Sequence, residues 1–262
     1  AGEALFESVV VFNGDVLTNV DLAAVIALHR KRKAKATIVL TPVENPSAYG
    51  LVETDGDGNI LRFLEKPNPD EITCDTINAG IYVLEPDTFD RIPKNVPWSI
   101  ERSFFPSLID RHETFVATVH RGYWIDIGTP EKYAQVHRDI MDRRYLAEPF
   151  TGPHAQIYVS PEARVDDGVT LEGPCFVDAG TVVRAGARIG PYSVVGRQCH
   201  VEERAVIEES ILWSSTRVSQ EATIRRAILG RHCHIGRNVL VDDGAILGDK
   251  STLTEYSRVT GR

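Results

Sequence analysis

The sequence predicts a chain of class α/β in two parts, a mixed α/β domain followed by a coil of short β-strands. Two observations lead to this division. From Ser8 to about Tyr145, short runs rich in β-branched residues alternate with segments of helical periodicity. From Val159 onward, an aliphatic residue recurs at every sixth position. The stretch AEPFTGPHAQ separates the two patterns, so we expect one domain at 1–146, a linker at 147–157 and a second domain at 158–262.

The first part opens with a buried strand, SVVVF, and continues into a helical stretch, NVDLAAVIALHRKRKA. Asp21 lies near the start of this helix and basic residues lie at its end, an arrangement that complements the helix dipole. Next come the strand ATIVLTPV, a hairpin of YGLVET and NILRFLE around Asp-Gly-Asp-Gly, and the strand INAGIYVL. This order of elements favours a mixed sheet.

The second part repeats with a period of six. A second column of residues, four positions after each aliphatic, is mostly small, and both columns point to the same face of a strand. The register slips between Trp213 and Val218 and between Ile224 and Ile235, then resumes at Val241. At about 18 residues per three-sided coil, the repeat predicts a narrow prism of about five to six coils. The aliphatic column comprises Val159, Val165, Leu171, Val177, Val183, Ile189, Val195, Val201 and Ile207.

Composition excludes several classes of protein. The 29 Lys and Arg residues against 37 Asp and Glu residues give a net charge of −8, which disfavours nucleic acid as a partner. Since no apolar run approaches the ~18 residues of a membrane span, we expect no membrane partner. The cysteines (Cys74, Cys175, Cys199 and Cys233) form no C-x-x-C pair, so we expect neither a zinc ribbon nor disulfides, and a cytoplasmic location. Cys199 and Cys233 are predicted to lie two coils apart in the core.

Two aspartates stand at the ends of predicted strands. Asp15 follows VVVFNG, and ligands of α/β sheets gather beyond the carboxyl ends of strands, where Gly14 allows a close approach. Asp126 lies between two isoleucines in GYWIDIGTPEKY, where a carboxylate needs a positive partner. Asp15 has an alternative interpretation as an Asx turn. The alternative interpretation of Asp126 is that it pairs with an arginine or caps a helix. However, Thr129 followed by Pro130 already marks the start of the helix that comes next.

Further motifs occur in order along the first part: YGLV, EKP, NAGIYVL, SIE, FFP and WIDIGTP. Together with FNGD, over about 145 residues, they resemble those of sugar-1-phosphate nucleotidyltransferases, and in detail they look most like mannose-1-phosphate guanylyltransferases. The second part resembles the hexapeptide-repeat β-helix that also occurs in that family. The resemblance implies a partial, Rossmann-like nucleotidyltransferase domain followed by a left-handed parallel β-helix, and the left hand comes from the resemblance alone.

The resemblance implies that a sugar 1-phosphate attacks the α-phosphorus of a nucleoside triphosphate and expels pyrophosphate. GDP-mannose from GTP and mannose 1-phosphate is the expected product. By family match, Asp15 and Asp126 hold Mg²⁺, a cation that prefers oxygen ligands, and Lys66 contacts the sugar phosphate as the third catalytic residue. The substrate-binding residues implied in the same way are Gly14, Gly50, Glu65, Lys66, Asn78 and Gly80. The assembly is expected to be a homo-oligomer.

One feature departs from the family pattern. In the family, a Gly-rich loop with an arginine, followed by Lys-Pro, binds the triphosphate near the N-terminus, and no such loop precedes SVVVF. The turn TDGDGN is part of a hairpin and is not that loop. We therefore expect the sequence to be an incomplete fragment that does not turn over by itself, with base selectivity set outside it.

Other functions stay open. The resemblance also permits a glucose-1-phosphate thymidylyl-, uridylyl- or adenylyltransferase, or a non-catalytic regulatory subunit. A hexapeptide-repeat acyltransferase, which places a catalytic histidine between the β-helices of a trimer, is a further alternative. His200, His232 and His234 lie in the repeats, but outward polar residues are common there, and HCH lacks metal-ligand spacing on one strand face. The ordered motifs favour nucleotidyl transfer.

Overall fold

The computed structural model describes residues 7–65, 68–152 and 156–261. The chain divides into two compact units, Ala1–Asp126 and Ile127–Arg262. This division reflects which residues contact one another. The predicted boundaries at 1–146, 147–157 and 158–262 reflect the change in sequence period instead, and they stay predictions. None of the helices among the described residues is both long and apolar enough to cross a membrane.

The first unit is built on a mixed sheet, as the sequence predicts. Six strands form it in the order β5-β4-β6-β3-β7, with β1 also paired to β6, while β2 and β8 form a separate antiparallel ribbon. Short 3₁₀ segments occupy Pro46–Ala48, Pro69–Glu71 and Pro86–Arg91, and a π-helical turn at Ile100–Phe104 leads into α2. The elements are β1 Val9–Phe12, β2 Val16–Thr18, α1 Leu22–Arg32, β3 Ala36–Pro42, β4 Gly50–Thr54, β5 Ile60–Glu65, β6 Thr76–Leu84, α2 Phe105–Asp110, β7 Phe115–Val119 and β8 Trp124–Asp126.

Helix α1 has both of its ends stabilised by local hydrogen bonds. Asp21 is the N-cap, and its side chain accepts a hydrogen bond of 3.0 Å from the Ala24 N–H. Lys33 adopts the left-handed conformation at the C-cap, with φ +48°. The last turn carries four basic residues, so the charge distribution predicted from the sequence is confirmed.

Strand β6 lies at the centre of the sheet and contains a bulge. Ile38 of β3 pairs with Tyr82 and Leu40 pairs with Asn78, so the three residues of β6 between these pairs stand opposite the single residue Val39 of β3. Gly80 lies inside the bulge with φ +75°, a conformation that favours glycine. A Cβ at this position would lie 2.8 Å from Nδ2 of Asn13, while the Asn13 N–H donates to the Gly80 carbonyl over 2.8 Å. The bulge therefore fits closely against the turn that carries the FNGD motif.

The second unit contains a parallel β-solenoid of about six coils, consistent with the left-handed β-helix that the resemblance implies. Three parallel sheets form its sides. The first comprises β10 Arg164–Val165, β13 Val182–Val183, β16 His200–Val201, β19 Arg217–Val218, β22 His234–Ile235 and β25 Thr252–Leu253. The second comprises β11 Thr170–Leu171, β14 Arg188–Ile189, β17 Val206–Glu208, β20 Thr223–Arg225, β23 Leu240–Asp242 and β26 Arg258–Thr260. The third comprises β9 Ile157–Val159, β12 Cys175–Val177, β15 Ser193–Val195, β18 Ile211–Leu212, β21 Ile228–Leu229 and β24 Ile246–Leu247.

The inward columns of the solenoid match the six-residue pattern. The aliphatic residues from Val177 to Ile207 are fully buried, as are most members of the small column between them. Pairing offsets explain the two slips in the sequence. Val194 pairs with Ile211 and Ile211 with Ile228, offsets of 17 residues, whereas Ile228 pairs with Ile246, an offset of 18. Each slip is therefore a coil that is one residue shorter. The first lies between Ile207 and Leu212, and its predicted place between Trp213 and Val218 is wrong, because Leu212 and not Trp213 is the inward residue that pairs with Val195.

The cysteines of the solenoid are free thiols in the core. Cys199 and Cys233 lie on one side of the prism, two coils apart, with Thr216 at the same position of the coil between them. Burial raises the pKa of Cys199 to about 11, so this thiol stays protonated at neutral pH. The prediction that these cysteines act as small core residues is confirmed.

Helix α3, Pro130–Met141, packs against the solenoid within the second unit. Thr129 is its N-cap and Pro130 its first residue, as the sequence predicts. The Tyr133 ring lies 6.2 Å from the ring of Trp213, and Arg138 pairs with Glu209 over 2.9 Å. These contacts hold the helix on the third sheet of the solenoid.

We expect the Ile207→Ala substitution to lower the free energy of unfolding by about 2–5 kcal/mol, because it leaves a cavity in the middle of the prism. Ile246→Ala is the matched control, since its side chain points outward and is 54% exposed, and it should cost less than about 1 kcal/mol. Urea denaturation of both variants measures the difference. Equal costs would contradict the inward assignment of the six-residue column.

We expect Gly80→Ala to destabilise the first unit by about 1–3 kcal/mol, since alanine resists the positive φ and its Cβ would clash with Asn13. Gly56→Ala is the control, because a Cβ there meets nothing within 4 Å, and its effect should stay within about 0.5 kcal/mol. Thermal unfolding followed by circular dichroism compares the two variants. A Gly80→Ala variant as stable as the control would mean that the bulge does not need glycine.

Candidate active site

The ribbon of β2 and β8 brings the two predicted metal ligands together. Val16 of β2 pairs directly with Asp126 of β8, and Asp15 is the residue immediately before Val16. Neighbouring positions of this kind have Cα atoms roughly 5–6 Å apart, although the two aspartates are far apart along the chain. Asp15 is exposed and Asp126 is half-buried. Two carboxylates therefore lie at one end of a short ribbon.

This donor set fits a magnesium ion better than a transition metal. Both donors are carboxylate oxygens, and no group of three or more His, Cys, Asp or Glu side chains gathers around a common point within the described residues. Mg²⁺ keeps several of its waters and takes further ligands from substrate phosphates, so one or two protein carboxylates are sufficient. Zinc sites, by contrast, use three or four protein ligands, most of them nitrogen or sulfur. The metal role of Asp15 and Asp126 stays a prediction.

Gly14 lies in the exposed turn between β1 and β2. A Cβ added there would meet nothing within 4 Å, so no protein atom requires glycine at this position. Only a bound molecule that approaches the backbone closely would impose that requirement. The predicted contact between Gly14 and substrate stays a prediction.

The predicted sugar-binding residues meet where β4, β5 and β6 lie side by side. Gly50 is buried and pairs with Glu65 across the hairpin. Leu51 pairs with Ile77, which places Gly50 beside Asn78 on the neighbouring strand. The side chain of Glu65 and the whole of Lys66 lie outside the described residues, so their predicted roles stay predictions.

Asn78 is held by three hydrogen bonds and is 9% exposed. Its Oδ1 accepts from the Gly80 N–H over 2.9 Å. Its Nδ2 donates to the Tyr82 hydroxyl over 2.8 Å and to Glu101 Oε1 over 3.3 Å. A side-chain amide with this many partners has a fixed orientation, and the bulge at Gly80 brings those partners within reach.

Trp124 links the aspartate ribbon to the bulge of β6. Its indole N–H donates to the Ala79 carbonyl over 2.9 Å. The ring of Tyr49, which precedes Gly50, packs edge-on against the Trp124 ring at 5.8 Å and 72°. Since Asp126 follows Trp124 by two residues on the same strand, the predicted metal pair and the predicted sugar pocket belong to one region of the first unit.

Three residues of this region had no assigned role in the sequence analysis: Asn13, Tyr82 and Glu101. Asn78 and Tyr82 are four residues apart on one strand, and a regular strand would separate their Cα atoms by roughly 13 Å, so the contact depends on the bulge and the spacing alone does not predict it. Glu101 lies 23 residues beyond Asn78. Nothing in the residue pattern predicts that its carboxylate meets the Asn78 amide.

Comparisons with known proteins give two family matches and several relatives. The nucleotidyl transferase family model matches residues 2–143, and the GMPPB C-terminal domain model matches residues 171–262. A probable mannose-1-phosphate guanylyltransferase 2 of Oryza sativa subsp. japonica is 34% identical over 95% of this chain and 69% of its own length. A mannose-1-phosphate guanylyltransferase of Mycobacterium tuberculosis is 38% identical over 73% of this chain and 51% of its own length.

A UTP–glucose-1-phosphate uridylyltransferase of Synechocystis is 32% identical over 87% of this chain. The alignment covers 60% of that relative, so the chain spans between about half and two thirds of the length of these proteins. The family model covers more than half of the chain, and its match contains the ribbon, the bulge and the paired aspartates and continues to residue 143 in the second unit. The chain therefore belongs to the nucleotidyl transferase family.

Proposed function

We propose that the protein transfers a nucleotidyl group from a nucleoside triphosphate to a hexose 1-phosphate, giving a nucleotide-sugar and pyrophosphate. The observation that carries this proposal is the pairing of β2 with β8, which sets Asp15 beside the position of Asp126. The reaction joins two anions, so it needs positive charge where their phosphates meet. A pair of carboxylates that holds a divalent cation at the edge of a sugar pocket serves that need.

In this proposal each part of the region has one task. Asp15 and Asp126 hold Mg²⁺, which supplies charge neutralisation on the phosphate oxygens when it is bound. Gly50 and Asn78 line the sugar pocket, and Glu65 and Lys66, which follow the same hairpin, complete it. These residues bind and orient the sugar phosphate, so that its oxygen is in line with the α-phosphorus of the triphosphate.

We infer that GTP and mannose 1-phosphate are the substrates. The named relatives from Oryza and Mycobacterium are mannose-1-phosphate guanylyltransferases, and the C-terminal match is to a GMPPB domain. The uridylyltransferase from Synechocystis favours a second candidate pair, UTP and glucose 1-phosphate. The proposal also includes a homo-oligomer in the cytoplasm, and the four free cysteines are compatible with a reducing compartment.

The histidines of the solenoid offer little support for acyl transfer. His200 and His234 are exposed on the first sheet, and Arg217 stands between them in the register. They lie two coils apart, roughly 10 Å at the usual strand spacing, so they do not form a single site within one chain. Nucleotidyl transfer remains the function that the arrangement supports best.

We expect Asp126→Asn in the full-length protein to lower turnover by about 10²–10⁴-fold, because the amide keeps the shape of the side chain but loses the charge that a metal needs. Asp15→Asn should act in the same direction. Asp110→Asn, an exposed position at the end of α2, is the matched control and should leave turnover within about twofold. Pyrophosphate release over a Mg²⁺ titration measures all three variants.

The substrate pair is tested in the same assay with four nucleoside triphosphates and with mannose and glucose 1-phosphates. We expect the highest kcat/KM with GTP and mannose 1-phosphate. Absence of pyrophosphate release from every pair would contradict nucleotidyl transfer. Near-parental activity of Asp126→Asn at all Mg²⁺ concentrations would contradict its metal role alone.

A further inference from the structure

We propose that Glu101, together with Tyr82, positions the side-chain amide of Asn78 so that this residue can only accept a hydrogen bond from the sugar. The inference rests on the proposed function and assigns the pocket a preference for a sugar that offers a hydroxyl donor at this point. Glu101 acts through Asn78 and is therefore a positioning residue. Its carboxylate accepts from Asn78 Nδ2 over 3.3 Å.

The orientation of the amide follows from its two neighbours. On one side is the Gly80 N–H, a donor that requires the oxygen of Asn78 at 2.9 Å. On the other side is the Glu101 carboxylate, which when ionised can only accept and so requires the nitrogen. A flipped amide would set donor against donor and acceptor against acceptor in a buried setting, where unmatched polar groups are costly.

Tyr82 supplies a rigid third partner. Its side chain is 1% exposed, and its ring packs against Phe105 at 5.0 Å and 62°. The hydroxyl accepts the second N–H of Asn78 over 2.8 Å. Because the ring cannot move without opening the core, this contact fixes the position of the amide.

Glu101 itself is fixed by the turn that carries it. The π-helical turn Ile100–Phe104 begins at Ser99, whose hydroxyl accepts from the Arg102 N–H over 3.1 Å. Phe104 anchors the end of the turn in the core at 1% exposure. The carboxylate therefore reaches Asn78 from a segment that is capped at its start and buried at its end.

In this arrangement both N–H groups of the Asn78 side chain are already hydrogen-bonded to protein atoms. A side-chain amide has two N–H groups, and here both are taken by Tyr82 and Glu101. The oxygen keeps one lone pair beyond the bond from Gly80. A substrate group that meets Asn78 must then donate, as a hydroxyl does, whereas a fluorine or an acetamido carbonyl can only accept.

The kinetic test compares Glu101→Ala, Glu101→Gln and Arg102→Ala in the full-length protein. We expect Glu101→Ala to raise KM for the sugar phosphate about five- to tenfold and to leave KM for the triphosphate unchanged. Glu101→Gln should stay within about threefold, because its carbonyl oxygen accepts the same N–H. Arg102→Ala is the control at an exposed neighbouring side chain. If Glu101→Ala shifted both KM values equally, or neither, the positioning role would be wrong.

Fluorinated sugar phosphates test the donor preference. At one ring position, replacing the hydroxyl by fluorine should lower kcat/KM of the unsubstituted protein as much as replacing it by hydrogen does. In Glu101→Ala, the loss of kcat/KM caused by fluorine should be smaller. If the unsubstituted protein kept its kcat/KM with fluorine at every ring position, the preference for a hydroxyl donor would be wrong. A parent inactive with every natural substrate pair would instead contradict the proposed function.

An NMR measurement tests the orientation without catalysis. In the ¹⁵N-labelled chain, assigned by comparison with Asn78→Asp, we expect both side-chain N–H protons of Asn78 to exchange slowly with solvent. Glu101→Ala should speed the exchange of one of them, while Arg102→Ala should not. Unchanged signals in Glu101→Ala would refute the contact, whatever reaction the protein catalyses.

Discussion

The arrangement of the first unit depends on one constraint, the left-handed backbone of Gly80 in the central strand. Because the three residues between Asn78 and Tyr82 stand opposite a single residue of β3, the strand bulges there. The bulge lets the Asn78 amide reach both the Gly80 N–H and the Tyr82 hydroxyl. It also receives Asn13 on one side and exposes the Ala79 carbonyl to Trp124 on another. The turn before Asp15 and the strand of Asp126 are thus both built against a single irregular segment.

The second unit depends on a different principle, the repetition of identical neighbour contacts. Each strand pairs in parallel with the strands one coil before and one coil after it, and its inward residues complete a continuous column. The two coils of 17 residues keep this column intact, since the inward residues Val195, Leu212 and Leu229 still stand in register. The shortening is absorbed at a corner, where the chain is outside the strands.

Patterns of fixed period allowed the solenoid to be predicted almost residue by residue. The aliphatic and small columns, the number of slips and the buried cysteines follow from counting, because every coil repeats the same local geometry. The position of the first slip does not, because Leu212 and Trp213 both fit an inward position by residue type. The mixed sheet and the cap at Thr129 also follow from local signals. The handedness of the coil does not, because the six-residue period is the same for either hand, and only the family resemblance supplies it.

The candidate site was predictable only in part. The resemblance supplied Asp15, Asp126, Gly50 and Asn78, and the register of the strands brings them together in two neighbouring groups. The contact between Glu101 and Asn78 has no local signal, because it joins a turn to a strand through tertiary folding. The packing of Asn13 against Gly80 is of the same kind. Long-range side-chain contacts need coordinates, whereas periodic ones do not.

The two 17-residue coils also bear on how such a chain can change in length over evolution. A corner that loses one residue without disturbing the core shows that the corners tolerate small deletions, and a stack of self-similar coils should equally tolerate the gain or loss of a complete coil. The central sheet has no such freedom, since one residue added near Gly80 would move every later side chain of β6 to the opposite face. Homologues are therefore expected to vary in length mainly in the solenoid.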